Sequence, residues 1–335
     1  GPDGIPYLAW KRSGDLATQA LQDAAAALQS NDATSYLQRM HGHDIQPDGH
    51  NFNRGLLICL GKKPHSEHPE FGQVYRPEST RPLSIVNTDN RLLANAARLR
   101  WERLLNPWVS PQQQGFLRQR SILKNVLDID FASMTTSLTN NKGALVLFDF
   151  ASAFPSMSQE YMLELLTTLG VPPNAMNMIQ ALYHNNKCLI QTNGGQIDGF
   201  KMSTGVRQGC PLSHLLYAIC AEILIERIRM EIPSAIVRAY ADDTAVLLQD
   251  LQRDTPTLAK IFADFGSMSN LHLNLNKTVI IPLFPQPELA AVREALTRLI
   301  PSWSAVQFAY NARYLGFILG PGAGDQSWKD PTHKF

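Results

Sequence analysis

Cysteine is scarce in this chain of 335 residues: there are four, Cys59, Cys188, Cys210 and Cys220, and no CxxC pair. Such scatter argues against a zinc module and a disulfide framework, and for a reducing, intracellular compartment. No apolar run reaches the roughly 18 residues needed to span a bilayer, and no signal peptide is visible, so no membrane partner is expected. Internal repeats and low-complexity tracts are missing too. Charge is sparse, with 18% charged residues and a formal net charge of +1. Bulk charge therefore gives no reason to expect a polyanionic partner.

What is present is a globular composition, 44% hydrophobic, on a chain long enough for more than one core. Charge is uneven locally. Between residues 91 and 124, Arg91, Arg98, Arg100, Arg103, Arg118, Arg120 and Lys124 stand against a single acid, Glu102. A cluster of this kind suits phosphate neutralisation with counterion release, or else a solvated helix face. His41, His43, Asp44 and His50 fall in a segment punctuated by Gly and Pro. They are read as solvated rather than as a metal cluster.

The most informative stretch is IVRAYADDTAVLL, residues 236–248. Asp242 and Asp243 sit between two runs rich in β-branched and aromatic residues, a pattern that predicts a tight hairpin with both acids at its turn. An Asp pair in a turn is often only solvated. A second stretch, ALVLFDF at 144–150, ends its apolar run in one carboxylate, Asp149. A continuous apolar run predicts a strand buried on both faces, and the charge at its end must emerge at a sheet edge or find a partner. If the two strands are neighbours, three carboxylates meet and favour a hard divalent cation such as Mg²⁺. Two such ions about 4 Å apart can activate one oxygen and stabilise a leaving pyrophosphate.

YADD following FDFASAF (148–154) resembles the palm of reverse transcriptases. GVRQGCPLS (205–213), NLHLNLNKT (270–278) and RYLGFIL (313–319) resemble that family's neighbouring signatures. TRPLSIVNTDNRLLA (80–94) and QQQGFLRQRSILKN (112–125) resemble fingers motifs of retrotransposons without long terminal repeats, and GPDGIPYLAWK (1–11) their first motif. In order and nearly end to end, the chain resembles the reverse transcriptase domain of a non-LTR (LINE-type) retrotransposon. The resemblance implies an α+β, right-hand polymerase of fingers and palm, with a ferredoxin-like palm sheet backed by helices. The thumb is expected to be absent or truncated, because the chain stops soon after the last palm motif, and the chain to be a piece of a longer polyprotein. Expected divisions are 1–70 for an N-terminal extension and the start of the fingers, 71–140 for fingers, and 141–320 for palm. A fingers portion near 170–210 is interleaved with the palm, and 321–335 is a tail toward the thumb.

Helices are expected at 15–29, 88–105 (stopped by Pro107), 121–138, 211–230, 257–269 and 287–300. Ser156 and Gln159 form a capping-box pattern for another helix reaching Leu169. Asn193-Gly194-Gly195 marks a hairpin between strands at 187–192 and 196–203. Further strands are expected at 278–283 and, as two short ones, around 306–319.

By the resemblance, Asp149 and Asp242 bridge two Mg²⁺ ions (Mn²⁺ as substitute), Asp243 is the weaker ligand, and the backbone carbonyl of Phe150 is a further one. Phe154 matches the aromatic that excludes a 2′-hydroxyl, although an aromatic here also suits a core. Arg81 matches the arginine that grips triphosphate, with Arg76 and Lys63 as weaker candidates. Gln208 and Gly209 match positions lying against the nascent base pair, where a missing Cβ admits backbone. Arg207 is expected to touch template or phosphate. Lys277 matches the lysine beside the departing pyrophosphate, a general acid. Two departures from the pattern bear on template contacts: Ser152 stands where a basic residue is usual, and Arg118-Gln119 where a glycine-containing stretch is usual.

The function so implied is an RNA-directed DNA polymerase that takes an RNA template, a DNA primer and dNTPs, nuclear if the element is eukaryotic. The alternatives are a catalytically silent nucleic-acid-binding relic of a retroelement, and an RNA-templated RNA polymerase with the same three acids.

Overall fold

A computed structural model describes residues 1–42, 52–192, 195–285 and 288–332. It resolves into two compact units, Gly1–Trp101 with Gln159–Ser213, and Glu102–Ser158 with His214–Phe335. Residues 102–140, given to the fingers by motif resemblance, cluster with the second unit.

In the first unit the helices Gly14–Gln29 and Ala33–Gly42 pack on Pro173–Tyr183. Beside them lies a sheet in the order Thr80–Ile85, Gly55–Gly61, Lys187–Thr192, Gly195–Lys201. Leu60 stands opposite Arg81 and Cys59 opposite Pro82. Pro82 cannot donate to a ladder, and it lies on the edge strand, where that loss is tolerated. A small exposed ribbon, Ser66–His68 with Gly72–Val74, connects the first two of these strands in sequence.

The second unit is built on a five-stranded sheet in the order Gln307–Phe308, Val279–Pro282, Ala144–Phe148, Asp243–Leu248, Ile236–Tyr240. Its last four strands are mutually antiparallel, with the fourth strand in sequence beside the first and the third between first and second. This is the ferredoxin-like order. All five residues of Ala144–Phe148 are buried, because both faces are covered. On one face Leu145, Leu147, Ala245, Leu247 and Ile281 meet Val126 and Ile129 of the Ile122–Thr139 helix, along with Tyr314, Phe317 and Leu319. On the other, Phe148 stacks on Phe262 of the Leu251–Ser269 helix at 4.2 Å. Each buried Leu or Val contributes about 1.5–3 kcal/mol, and a slip of one residue would expose a whole face, so the register is strongly specified.

Of the elements that depart from expectation, three do so for identifiable reasons. The helix expected from 257 starts at Leu251, because Asp250 caps it by accepting the Arg253 N–H at 3.1 Å, and Pro256 is accommodated inside. The capping box at Ser156 and Gln159 does not form. Gln159 opens its own helix and donates instead to the Gly205 carbonyl at 3.0 Å, while Ser156 closes a short Ala153–Ser156 helix. The helix after Pro211 starts at Ser213 and runs to Glu231. Asn193 and Gly194 of the hairpin turn lie outside the described residues, as do His43, Asp44 and His50. No helix of the described residues is long and apolar enough to cross a membrane.

Candidate active site

The antiparallel ladder of the second unit pairs Phe148 with Thr244, so the next rung sets Asp149 level with Asp243 at the sheet edge. Tyr240 pairs with Asp243, leaving Ala241 and Asp242 as a two-residue turn. Ala241 has φ +56°, in the left-handed region. The segment after Asp149 is zipped onto the NLHLN stretch. The Asp149 carbonyl accepts the Asn274 N–H at 2.7 Å, Phe150 bridges Leu273, and the Ala151 N–H donates to the His272 carbonyl at 2.8 Å. That zipper carries Lys277 to the acids, with its Nζ 3.8 Å from a carboxylate oxygen of Asp149. Asp149 and Asp243 keep solvent access and Asp242 is half-buried.

Crowding by protein, and then the negative charges of Asp242 and Asp149, push the Asp243 pKa up to about 6. Tyr217, buried on the Ser213–Glu231 helix, answers the same charges: burial first, then Asp242 and Asp243, hold its hydroxyl well above the usual range. Like charges so close are the signature of a place that a cation relieves. Among the described residues no three His, Cys, Asp or Glu side chains close into a ready-made ligand group. The acids share an edge by register and charge without converging on a point. Three carboxylates with no sulfur or imidazole donor fit a hard cation such as Mg²⁺ or Mn²⁺ and not a soft one.

The family model described as reverse transcriptase (RNA-dependent DNA polymerase) matches residues 62–319. The chain belongs to this family. It is 27% identical over 301 residues to a Xenopus laevis protein of transposon TX1, covering 82% of this chain and 23% of that protein. It is also 25% identical over 246 residues to the Pol polyprotein of retrotransposable element R2DM from Drosophila melanogaster, covering 70% and 23%. The chain thus spans about a quarter of the length of these curated relatives. Among solved structures, apo telomerase of Candida tropicalis truncated from its C-terminal domain superposes with a TM-score of 0.56 at 11% identity, over 87% of this chain and 58% of that one. Telomerase of the same organism with an RNA fragment gives 0.52 at 13% identity, over 69% and 41%.

In this reverse transcriptase chain Phe154 is only 9% exposed. Its ring lies flat on Tyr217 at 4.7 Å and edge-on to His214 at 5.4 Å. Ser152 takes φ +54° ahead of it, which turns the chain sharply after the Asp149 strand. In the first unit Arg81 is exposed on the edge strand of its sheet. On the same strand the Ser84 N–H donates to the Gln208 carbonyl at 2.9 Å, and a Cβ on Gly209 would fall 2.7 Å from the Ser84 carbonyl. Gly209 is glycine because backbone lies where a side chain would be. Arg76 is exposed and splits its guanidinium between His65 at 3.3 Å and Glu78 at 4.0 Å. Lys63 is exposed at the base of the ribbon.

Arg207, expected to touch template or phosphate, is enclosed by the protein. It is 3% exposed, donates to the Leu182 carbonyl at 2.7 Å and lies over the Tyr183 ring at 5.4 Å. A guanidinium enclosed at the C-terminus of the Pro173–Tyr183 helix satisfies its carbonyl end through Nη2, while its Nε and Nη1 are buried with no hydrogen-bond partner among the described residues. Arg120 leaves the basic cluster for the same kind of reason: it donates to the carbonyls of Asn106 (2.8 Å), Val109 (2.6 Å), Ser110 and Gln113. Burial lowers its pKa, and nearby Glu222 opposes that shift. Gln119 adopts φ +61°, a left-handed conformation that glycine takes without strain. Arg100, Arg103, Arg118 and Lys124 remain exposed. Reading the sequence missed Tyr217, which carries no positional signal beyond helical spacing, and Gln113, whose amide reaches the Ala241 backbone.

Proposed function

We infer that this chain is the polymerase core of an RNA-directed DNA polymerase of retrotransposon type, extending a DNA primer with dNTPs on an RNA template. The observation that carries the reading is the rung that sets Asp149 level with Asp243, beside Asp242 in the turn. Within this reading the second unit is palm and the first unit is largely fingers, with Gln159–Ser213 the interleaved part.

Asp149, Asp242, Asp243 and the Phe150 carbonyl are the groups that would hold two metal ions. Bound there, Mg²⁺, with Mn²⁺ as substitute, neutralises charge on the transferred phosphoryl group and lowers the pKa of the primer 3′-hydroxyl. The protein's own groups position the rest. Arg81 takes the triphosphate with its planar fork, Arg76 and Lys63 add positive charge on the same unit, and Gln208 and Gly209 lie against the nascent base pair. Lys277 Nζ, beside Asp149, delivers a proton to the departing pyrophosphate. Phe154, held flat by Tyr217, bars a ribose 2′-hydroxyl.

The test is primer extension on RNA with Mg²⁺ or Mn²⁺, using the full element protein and its Asp242→Asn variant. Extension that falls by about 10²–10³-fold in the variant, with salt-dependent RNA binding unchanged, supports the reading. RNA binding without extension in the unaltered protein would leave the silent-relic alternative standing in its place.

A further inference from the structure

The turn that presents the acids is held by a device outside the carboxylate set. A two-residue hairpin loop whose first residue has positive φ ordinarily takes glycine there, yet Ala241 occupies it at φ +56° and is 5% exposed. A non-glycine residue in this region carries a strain of about 1–3 kcal/mol and persists only where its surroundings over-determine it. Here they do. The side-chain amide of Gln113, which has no exposed surface, accepts the Ala241 N–H at Oε1 (2.8 Å) and directs Nε2 to the Ala241 carbonyl (3.4 Å). Its Oε1 also accepts the Gly115 N–H at 2.9 Å, which fixes the amide's orientation.

The segment carrying Gln113 is itself locked to the hairpin. The Ala239 N–H donates to the Gln112 carbonyl at 2.9 Å, and the Gln114 N–H donates to the Ala239 carbonyl at 2.7 Å. Gly115 is pressed so close that a Cβ would lie 2.2 Å from the Ala241 nitrogen. Behind it, Arg120 gathers the carbonyls of the 106–113 loop, and Glu222 accepts the Ser110 N–H at 3.0 Å. A neutral amide with two bonds to one residue's backbone does the work that a neighbouring strand would do.

We propose that Gln113 is a positioning residue for the Ala241–Asp242 turn: its amide clamps the backbone in the left-handed conformation that holds Asp242 and Asp243 at the sheet edge. The proposal rests on the polymerase reading for its effect on rate, but not for its effect on structure. The variant Gln113→Met keeps the length and loses the amide. It should lower kcat for primer extension about 10- to 100-fold, since a displacement of about 1 Å in reacting groups has that effect, and leave RNA binding within about twofold. Adding Ala241→Gly, which relieves the strain at positive φ, should recover part of the loss; a purely structural defect would not be mended by a glycine.

Amide hydrogen exchange gives a readout separate from activity. In the unaltered protein the Ala241 N–H should be protected, and in Gln113→Met it should exchange at least tenfold faster while Val246 and Leu247 in the strand core stay protected. Free exchange at Ala241 in the unaltered protein would overturn the clamp, whether or not the variant folds. Equal kcat in Gln113→Met and the unaltered protein would overturn its effect on rate. A protein that never extends a primer, but protects Ala241, would sink the polymerase reading and keep the clamp.

Discussion

Asp243 is held against its own preference, so removing its charge should stabilise the protein when divalent ions are withheld. Its pKa in the fold is about 6 against 3.8 for the free side chain. Between those values the folded state keeps a proton that the unfolded chain has released, so stability falls as pH rises from about 3.8 to about 6 and then levels off. At face value the shift corresponds to about 3 kcal/mol. Asp243 is exposed to solvent, and screening reduces that to about 1 kcal/mol. The assay is urea unfolding in a chelator at pH 4, 5, 6 and 7.5 for the protein and its Asp243→Asn variant. The two should nearly coincide at pH 4 and separate as pH rises, with the variant more stable by about 1 kcal/mol at pH 7.5. Millimolar Mg²⁺ should then stabilise the unaltered protein more than the variant, because only ligand bound to the folded state shifts the equilibrium. Equal stability at pH 7.5, or a variant weaker at every pH, would refute the claim that burial and the neighbouring charges disfavour the ionised Asp243.

Two further outcomes follow from the packing. Phe154→Ala should cost about 3–5 kcal/mol in denaturant unfolding, because it empties the space over Tyr217, and in surviving protein it should raise the ratio of ribonucleotide to deoxynucleotide incorporation. An unchanged ratio would return Phe154 to the role of a core aromatic. Arg207→Met should destabilise by about 1–3 kcal/mol through the lost bond to the Leu182 carbonyl, yet leave the slope of RNA affinity against salt unaltered. A slope smaller by about one would instead mean a phosphate contact.

The parts legible in the sequence are those where periodicity and chemistry agree. The runs flanking Asp242 and Asp243 form the hairpin, and the apolar run before Asp149 forms the central strand, because β-branched residues between buried faces have few other solutions. The Thr88–Leu105 helix has the expected bounds, its end marked by Pro107. Burial of charge was not legible: a sequence shows the guanidinium of Arg120 or Arg207 and not the carbonyls that meet it. Pro256 concealed the first turns of a helix whose start is set by a side-chain cap at Asp250. Gln113 was invisible for a different reason: a neutral amide in a loop has no period, and its partner lies 128 residues away.

The ferredoxin order has a consequence for how such a chain can change over generations. The strand ending at Asp149 and the strand beginning at Asp243 touch directly, although the Gln159–Ser213 excursion leaves and returns between them. Doubling the length of such an excursion raises the entropy of closing it by only about 0.6 kcal/mol, and the rung that aligns the acids does not depend on it. Loops of that interval can therefore lengthen with the three acids left in place, whereas one residue inserted inside either strand would turn every side chain beyond it to the opposite face.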